Sequence, residues 1–257
     1  MICSANTDIG MKRTVNQDSF IQKTYSEKTC LCIVCDGMGG ARGGADASKI
    51  ASEKFVSVMD DFLSAYVGKK GKVLHASDVK TAMLSAIEQA NTAVYEQAQL
   101  HSALRGMGTT LVAALIIDHT VFCVNVGDSR MYFMKGNKIK QVTKDHSYVQ
   151  YLLDMGQITE KEAETFPNKN VITRAVGTES TVKPDFIKEN ISDGAYILLC
   201  SDGLTNFASN EIIRETVIGD DRRDLDQIKL SLTVRKLIDI ANQNGGADNI
   251  TAVLVRI

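Results

Sequence analysis

Hydrophobic and polar positions along the chain follow two periods. Short apolar runs occur at Leu31-Cys32-Ile33-Val34-Cys35, Tyr196-Ile197-Leu198-Leu199-Cys200 and Thr251-Ala252-Val253-Leu254-Val255. Each is bounded by Gly, Asp or Asn, the signature of a buried strand. The pattern predicts strands near 1–5, 19–25 and 29–35, four more between 109 and 143, two near 183–189 and 195–200, and a last one at 249–256. Turns fall at Asp118-His119, Gly127-Asp128 and Gly136-Asn137. Helical spacing predicts helices over 43–66, 77–103, 209–218 and 223–242. In the second, Val79, Met83, Ile87, Ala90 and Val94 share one stripe; in the last, Leu230, Val234, Leu237, Ile238 and Ala241 do. Asn244-Gly245-Gly246 stops that helix. Residues 147–182 are polar and aperiodic, and read as an irregular insertion with short helices. Runs of strands flanked by helix pairs predict an α+β fold: two packed antiparallel sheets with α-helices on both outer sides, not alternating β-α units.

Composition narrows this picture. The 257 residues are 44% hydrophobic, enough to fill a substantial core. Pro167 and Pro184 are the only prolines, and no linker, repeat or low-complexity tract divides the chain, so 1–257 is expected to be one domain. A net charge of -2, from 29 basic and 31 acidic side chains, gives no footprint for nucleic acid or an anionic membrane. The N-terminal residues lack the pattern of a signal peptide, and the longest apolar stretch, Thr110 to Gly127, is broken by Asp118 and His119. A soluble, cytoplasmic protein is expected. Six cysteines fit a reducing compartment. Cys30, Cys32 and Cys35 lie in a strand pattern and read as core thiols in preference to a zinc knuckle; Cys123 and Cys200 read the same way.

The candidate chemistry lies at the strand ends. Asp36 ends the first apolar run in Asp36-Gly37-Met38-Gly39-Gly40, Asp202 follows the second in Ser201-Asp202-Gly203, and Asp248 precedes the third in Asp248-Asn249-Ile250-Thr251. Carboxylates gathered at one sheet end repel by about 4 kcal/mol per pair at ~4 Å with an effective dielectric near 20. Such a cluster persists with bound cations or with protons taken up, and divalent metal is the simpler answer.

Further blocks extend the pattern. They are Thr7-Asp8-Ile9-Gly10-Met11-Lys12-Arg13-Thr14-Val15-Asn16-Gln17-Asp18, Gly108-Thr109-Thr110, Val126-Gly127-Asp128-Ser129-Arg130, Thr143-Lys144-Asp145-His146-Ser147, Gly156-Gln157-Ile158-Thr159 and Ile172-Thr173-Arg174-Ala175-Val176-Gly177. Any one alone is weak, since Asp-Gly is mainly a turn dipeptide. In order, over essentially the whole chain, the blocks resemble those of the metal-dependent protein phosphatases of type 2C, the bacterial members most closely.

The resemblance implies a role for each matching residue. Asp36 bridges two metals; Asp202 and Asp248 complete one, and Asp18 with the Gly37 carbonyl serves the other. Asp128, shared with Asp202, holds a third, weaker ion; read alone, it is a turn residue. All-oxygen ligands suit Mn²⁺ or Mg²⁺ over zinc. Two such ions activate a bridging water for direct attack on phosphorus. Arg13 grips the substrate phosphate, for which a planar guanidinium is suited. Met38 stands where many eukaryotic relatives carry a histidine proposed to protonate the leaving alkoxide, so that proton comes from solvent at the metal site. His146 reads as a structural hydrogen-bonding residue, and His75, His101 and His119 as surface or turn residues. The expected protein is a monomeric serine/threonine phosphatase acting on phosphoserine and phosphothreonine proteins, opposing a serine/threonine kinase, with 147–182 as a flap. A non-catalytic phosphatase-like binding protein and a hydrolase of another phosphate monoester remain open.

Overall fold

Strand β3 (Thr29–Met38) is buried along almost its whole length, and its alternation explains why. Leu31, Ile33 and Cys35 face a helical layer, while Cys30, Cys32 and Val34 face the second sheet. A strand covered on both sides needs apolar residues at every position, hence the unbroken run. In the computed structural model, which describes residues 1–67, 74–167, 170–219 and 226–257, two antiparallel sheets pack face to face. One has the order β1 (Ile2–Asp8), β11 (Ile250–Arg256), β10 (Tyr196–Cys200), β7 (Arg130–Lys135), β8 (Lys138–Gln141). The other runs β2 (Asp18–Ser26), β3, β5 (Leu111–Ile117), β6 (Thr120–Val126), β9 (Asp185–Asn190), with the short β4 (Gly108–Thr109) beside β3.

Helices α1 (Gly40–Ser64) and α2 (Ala76–Leu100) cover the second sheet through Phe55, Met59, Met83 and Ile87. Helices α6 (Asn210–Gly219) and α7 (Gln227–Gln243) cover the first through Ile213, Leu230, Val234 and Leu237. The expected α+β sandwich with helices on both sides is therefore the observed architecture. Within 147–182 lie α3 (Tyr148–Asp154) and α4 (Glu160–Glu164), the latter opened by a Thr159/Glu162 capping box.

Several boundaries differ from the sequence-based expectation, for local reasons. Strand β1 runs on to Asp8 through polar residues, because its backbone pairs with β11 as far as Asp8↔Ile250. Helix α2 ends at Leu100, after which 102–104 tighten into a 3₁₀ turn. A four-residue helix, α5 (Asp202–Thr205), is too short to show a period. The helix expected from 223 begins at Gln227, and its first three predicted residues lie outside the described ones. The Asp118-His119 turn is present, with Asp118 at φ 54°, a conformation Asp tolerates.

The cysteines are core residues, as expected, but they do not group as the sequence lines them up. Cys35 faces the helices, whereas Cys30 and Cys32 meet Cys3 between the sheets. Strand alternation separates them, since neighbours at odd spacing point to opposite faces.

Candidate active site

The strand ends carrying the aspartates converge at one rim of the sandwich. Asp18 and Asp36 are direct cross-strand partners on β2 and β3, an arrangement of like charges that costs stability unless something compensates it. Asp202 opens α5 just beyond β10, and Asp248 lies two residues before β11, the neighbour of β10. Asp128 sits in the Gly127-Asp128-Ser129 turn that carries the chain from β6 in one sheet to β7 in the other. Arg13, Asp36, Gly37, Asp128, Asp202 and Asp248 all line one open cavity of ≈ 380 Å³. Asp18 is not in that lining and lies one layer below.

Small polar side chains fix these carboxylates. Ser201 Oγ and Thr251 Oγ1 both donate to Asp18 Oδ2, at 2.8 and 2.6 Å, so the carboxylate of one sheet is held by hydroxyls of the other. The Asp36 carbonyl accepts from the Thr110 N–H and the Thr109 hydroxyl, both at 2.8 Å, while the Asp36 N–H donates to Thr110 Oγ1 at 2.9 Å. Asn206 Nδ2 donates to Asp202 Oδ2 at 3.0 Å. Asn249 ties down the Arg13 loop: its Oδ1 accepts from the Gln17 N–H at 2.8 Å and its Nδ2 donates to the carbonyls of Ile9 and Val15. Sequence reasoning gave Thr110, Ser201, Asn249 and Thr251 no role. For Ser201, Asn249 and Thr251 the signal available was their place inside the same blocks as the aspartates, and for Thr110 its place in the block Gly108-Thr109-Thr110.

Gly37, Gly39 and Gly40 are required by space and by backbone geometry. A Cβ at Gly37 would collide with the Gly44 carbonyl oxygen, so β3 and the start of α1 could not approach. Gly39 (φ 113°) and Gly40 (φ 78°) make the strand-to-helix turn in the left-handed region.

Electrostatics show a site incomplete as protein alone. Burial, with the charges of Asp202 and Asp248 adding to it, pushes the Asp18 carboxyl up to about 7 against the Thr251 and Ser201 hydrogen bonds. Asp128 is pushed up to about 7 by burial, Asp202 and Asp145. Burial and the surrounding aspartates hold Asp36 well above the usual carboxylate range, and burial with Asp248 raises Asp202. Asp18 Oδ1 and Asp202 Oδ1 are buried without a hydrogen-bond partner. Unpartnered carboxylate oxygens in an all-oxygen cluster fit a hard divalent cation, and the residues present suit Mn²⁺ or Mg²⁺.

Arg13 stands at the mouth, its side chain 48% exposed, with Nη2 2.8 Å from Asp248 Oδ2. The Asp248 hydrogen bond raises its pKa, so the guanidinium is a fixed positive charge. His146 does not line the cavity. Its Nδ1 accepts the Gly127 N–H at 3.1 Å, and its Nε2 lies 3.1 Å from Arg174 Nη1 and 3.3 Å from Asp185 Oδ2. It is the structural residue expected, and His75, His101 and His119 are exposed.

These shifts have a measurable consequence. A carboxyl whose folded pKa lies above its unfolded value of about 3.9 favours folding only while protonated. Metal-free protein should therefore lose thermal stability as pH rises from about 4 through about 7, the values reached by Asp18 and Asp128. Adding Mn²⁺ at neutral pH should recover it. Melting in EDTA across this range checks both; a flat pH profile with no Mn²⁺ effect would contradict the charge account.

The chain matches the family described as protein phosphatase 2C over residues 11–254. It is 38% identical over 255 residues to the protein phosphatase PhpP of Streptococcus pneumoniae, covering 99% of this chain and 97% of that one. Its fold is similar to that of the S. agalactiae serine/threonine phosphatase, with TM-score 0.84, 36% identity and coverage of 99% and 98%. It is also similar to the catalytic domain of the serine/threonine protein phosphatase PstP in complex with 2 manganese ions, at TM-score 0.77, 30% identity and coverage of 98% and 96%. The chain belongs to the protein phosphatase 2C family, a metal-dependent one.

Proposed function

We propose that the chain hydrolyses phosphoserine and phosphothreonine in proteins at the carboxylate cluster, opposing a serine/threonine kinase in the cytoplasm. The observation that carries this reading is the pair of buried, unpartnered oxygens on Asp18 and Asp202, beside Asp36 and below an exposed arginine. In it, Asp36, Asp202 and Asp248 would hold one ion, and Asp36, Asp18 and the Gly37 carbonyl the other. Bound Mn²⁺ or Mg²⁺ supplies water of lowered pKa as nucleophile and neutralises phosphoryl charge.

The chain's own residues do the rest. Ser201 and Thr251 hold the Asp18 carboxylate and Thr110 the Asp36 backbone, which is how a site keeps its geometry through turnover. Arg13 leaves Asp248 to take the phosphate; a part-exposed ion pair is worth under about 1 kcal/mol, so the exchange costs little. Met38 offers no proton, so protonation of the leaving alkoxide would fall to solvent. Residues 1–257 act as one monomeric phosphatase unit. Among the described residues no helix is long and apolar enough to cross a membrane.

Residues 147–182 form a flap in this reading. Its helices α3 and α4 enclose a second cavity of ≈ 300 Å³ that shares Asp128, Asn170 and Asp202 with the first or its rim. The end of the segment is tied to the core by the Thr109↔Val176 bridge and by the Gly177 N–H, which donates to Asn91 Oδ1 at 2.7 Å.

Phosphoserine peptides compared with small phosphate esters, in one Mn²⁺ assay, test the substrate class. Higher kcat/KM on the peptides supports the proposal; preference for the small esters, or no turnover, sinks it. Asp128→Ala tests the third ion. It should leave two tight metal sites by calorimetry and lower phosphopeptide turnover at limiting Mn²⁺. Lost stability with unchanged stoichiometry and kinetics would make Asp128 a turn residue only.

A further inference from the structure

Three thiols meet in the layer between the sheets, away from the carboxylates. Cys3 lies on β1, the edge strand of its sheet, and Cys30 and Cys32 on β3 of the other. Cys3 Sγ is 3.6 Å from Cys32 Sγ, Cys30 Sγ is 3.5 Å from Cys32 Sγ, and all three sulfurs fall within 4.8 Å of one another. The phosphatase chemistry uses none of them. They sit among Val34, Val112, Ile197 and Val255, where valine or alanine would fill the space as well.

We propose that Cys3, Cys30 and Cys32 form a binding site for a soft, low-coordinate metal ion of the Cu(I) class. Geometry supports it first. Three sulfurs in a plane around one ion at about 2.3 Å would sit roughly 4 Å apart; two of the observed separations, 3.5 and 3.6 Å, lie within half an ångström of that value and the third does not exceed 4.8 Å. The donor set supports it next. Among the described residues the cluster contains no histidine, carboxylate or fourth cysteine. Zinc takes four donors in structural sites, whereas Cu(I) is selected by soft thiolates.

The charge change is small enough for an apolar layer. Entry of Cu(I) with release of two thiol protons to solvent leaves two thiolates and one thiol around the ion, a single net negative charge. Loss of all three protons would double it, at much greater cost in a medium without water. Access is through the sheet edge. Cys3 is the second residue of β1, and its carbonyl accepts from Gln22 Nε2 of β2 at 3.1 Å and Gln227 Nε2 of α7 at 2.6 Å. Fraying of this end opens the site without unfolding the core. Once bound, the ion staples the two sheets together, and binding to the folded state raises its stability.

Anaerobic titration with Cu(I) buffered by bathocuproine disulfonate tests the site, read by loss of the chelator's absorbance. Wild-type chain should withdraw a single equivalent and melt at higher temperature with it. Cys3→Ala and Cys32→Ala should each lose that equivalent, while Cys123→Ala, a buried thiol of the same layer, and Asp36→Asn should keep it. X-ray absorption on the loaded wild-type chain should show sulfur-only scattering, which keeps the proposal testable if a cysteine variant fails to fold. No uptake by wild type, uptake that survives loss of Cys3 and Cys32, or nitrogen and oxygen scatterers at the copper would each overturn the assignment.

Discussion

Asp36→Asn and Asp202→Asn each leave a folded protein with kcat reduced by at least about a hundredfold, the loss expected when an electrostatic element of a reacting site is removed. Both side chains line the cavity, both have carboxyl groups raised by burial and neighbouring aspartates, and Asp202 has a buried oxygen with no protein partner. Asparagine preserves shape and the backbone clamp from Thr109 and Thr110, so packing is spared. It also removes a charge that folding disfavours. In EDTA at neutral pH these variants should therefore melt no lower than wild type, and Asp36→Asn higher. Loss of activity joined to a gain in metal-free stability separates a functional carboxylate from a structural one. Near-normal turnover with excess Mn²⁺, or a large drop in melting temperature, would show that the residue has been given the wrong role.

Arg13→Ala lowers kcat/KM on phosphopeptides by about 2 kcal/mol, roughly thirtyfold, from the loss of charge-assisted hydrogen bonds to phosphate. Stability changes little, because the pair it makes with Asp248 is only partly buried. Inhibition by inorganic phosphate should weaken in parallel, and metal affinity should hold. Arg13→Lys should recover part of the loss, since it keeps the charge and gives up the planar fork. If calorimetry shows metal affinity lost while phosphate inhibition is unchanged, Arg13 serves the ions through Asp248 and does not grip substrate.

What could be read from the sequence was what depends on a period or a boundary. The two-sided burial of β3 appears as an unbroken apolar run, and the stripes on α2 and α7 fall on residues that are buried in the fold. Asp36, Asp202 and Asp248 were visible because each flanks such a run, whereas Asp18 and Asp128 entered only through the family resemblance. What stayed hidden depends on how one sheet lies against the other. Ser201 and Thr251 hold Asp18 across the sandwich, 183 and 233 residues away in sequence, and no local pattern announces that. The pairing of Arg13 with Asp248 is of the same kind. The cysteines show the limit most plainly: Cys30, Cys32 and Cys35 look like a group on paper, yet alternation sends Cys35 to the helices and brings in Cys3, 29 residues from Cys32.

The central claim is that this carboxylate cluster hydrolyses phosphoproteins through bound divalent metal. Release of inorganic phosphate from a phosphoserine peptide by chain stripped in EDTA, then refilled with Mn²⁺, addresses it most directly. The account predicts no release by the stripped chain and full recovery on refilling, with Asp36→Asn inactive in both states. Undiminished phosphate release in EDTA would contradict it.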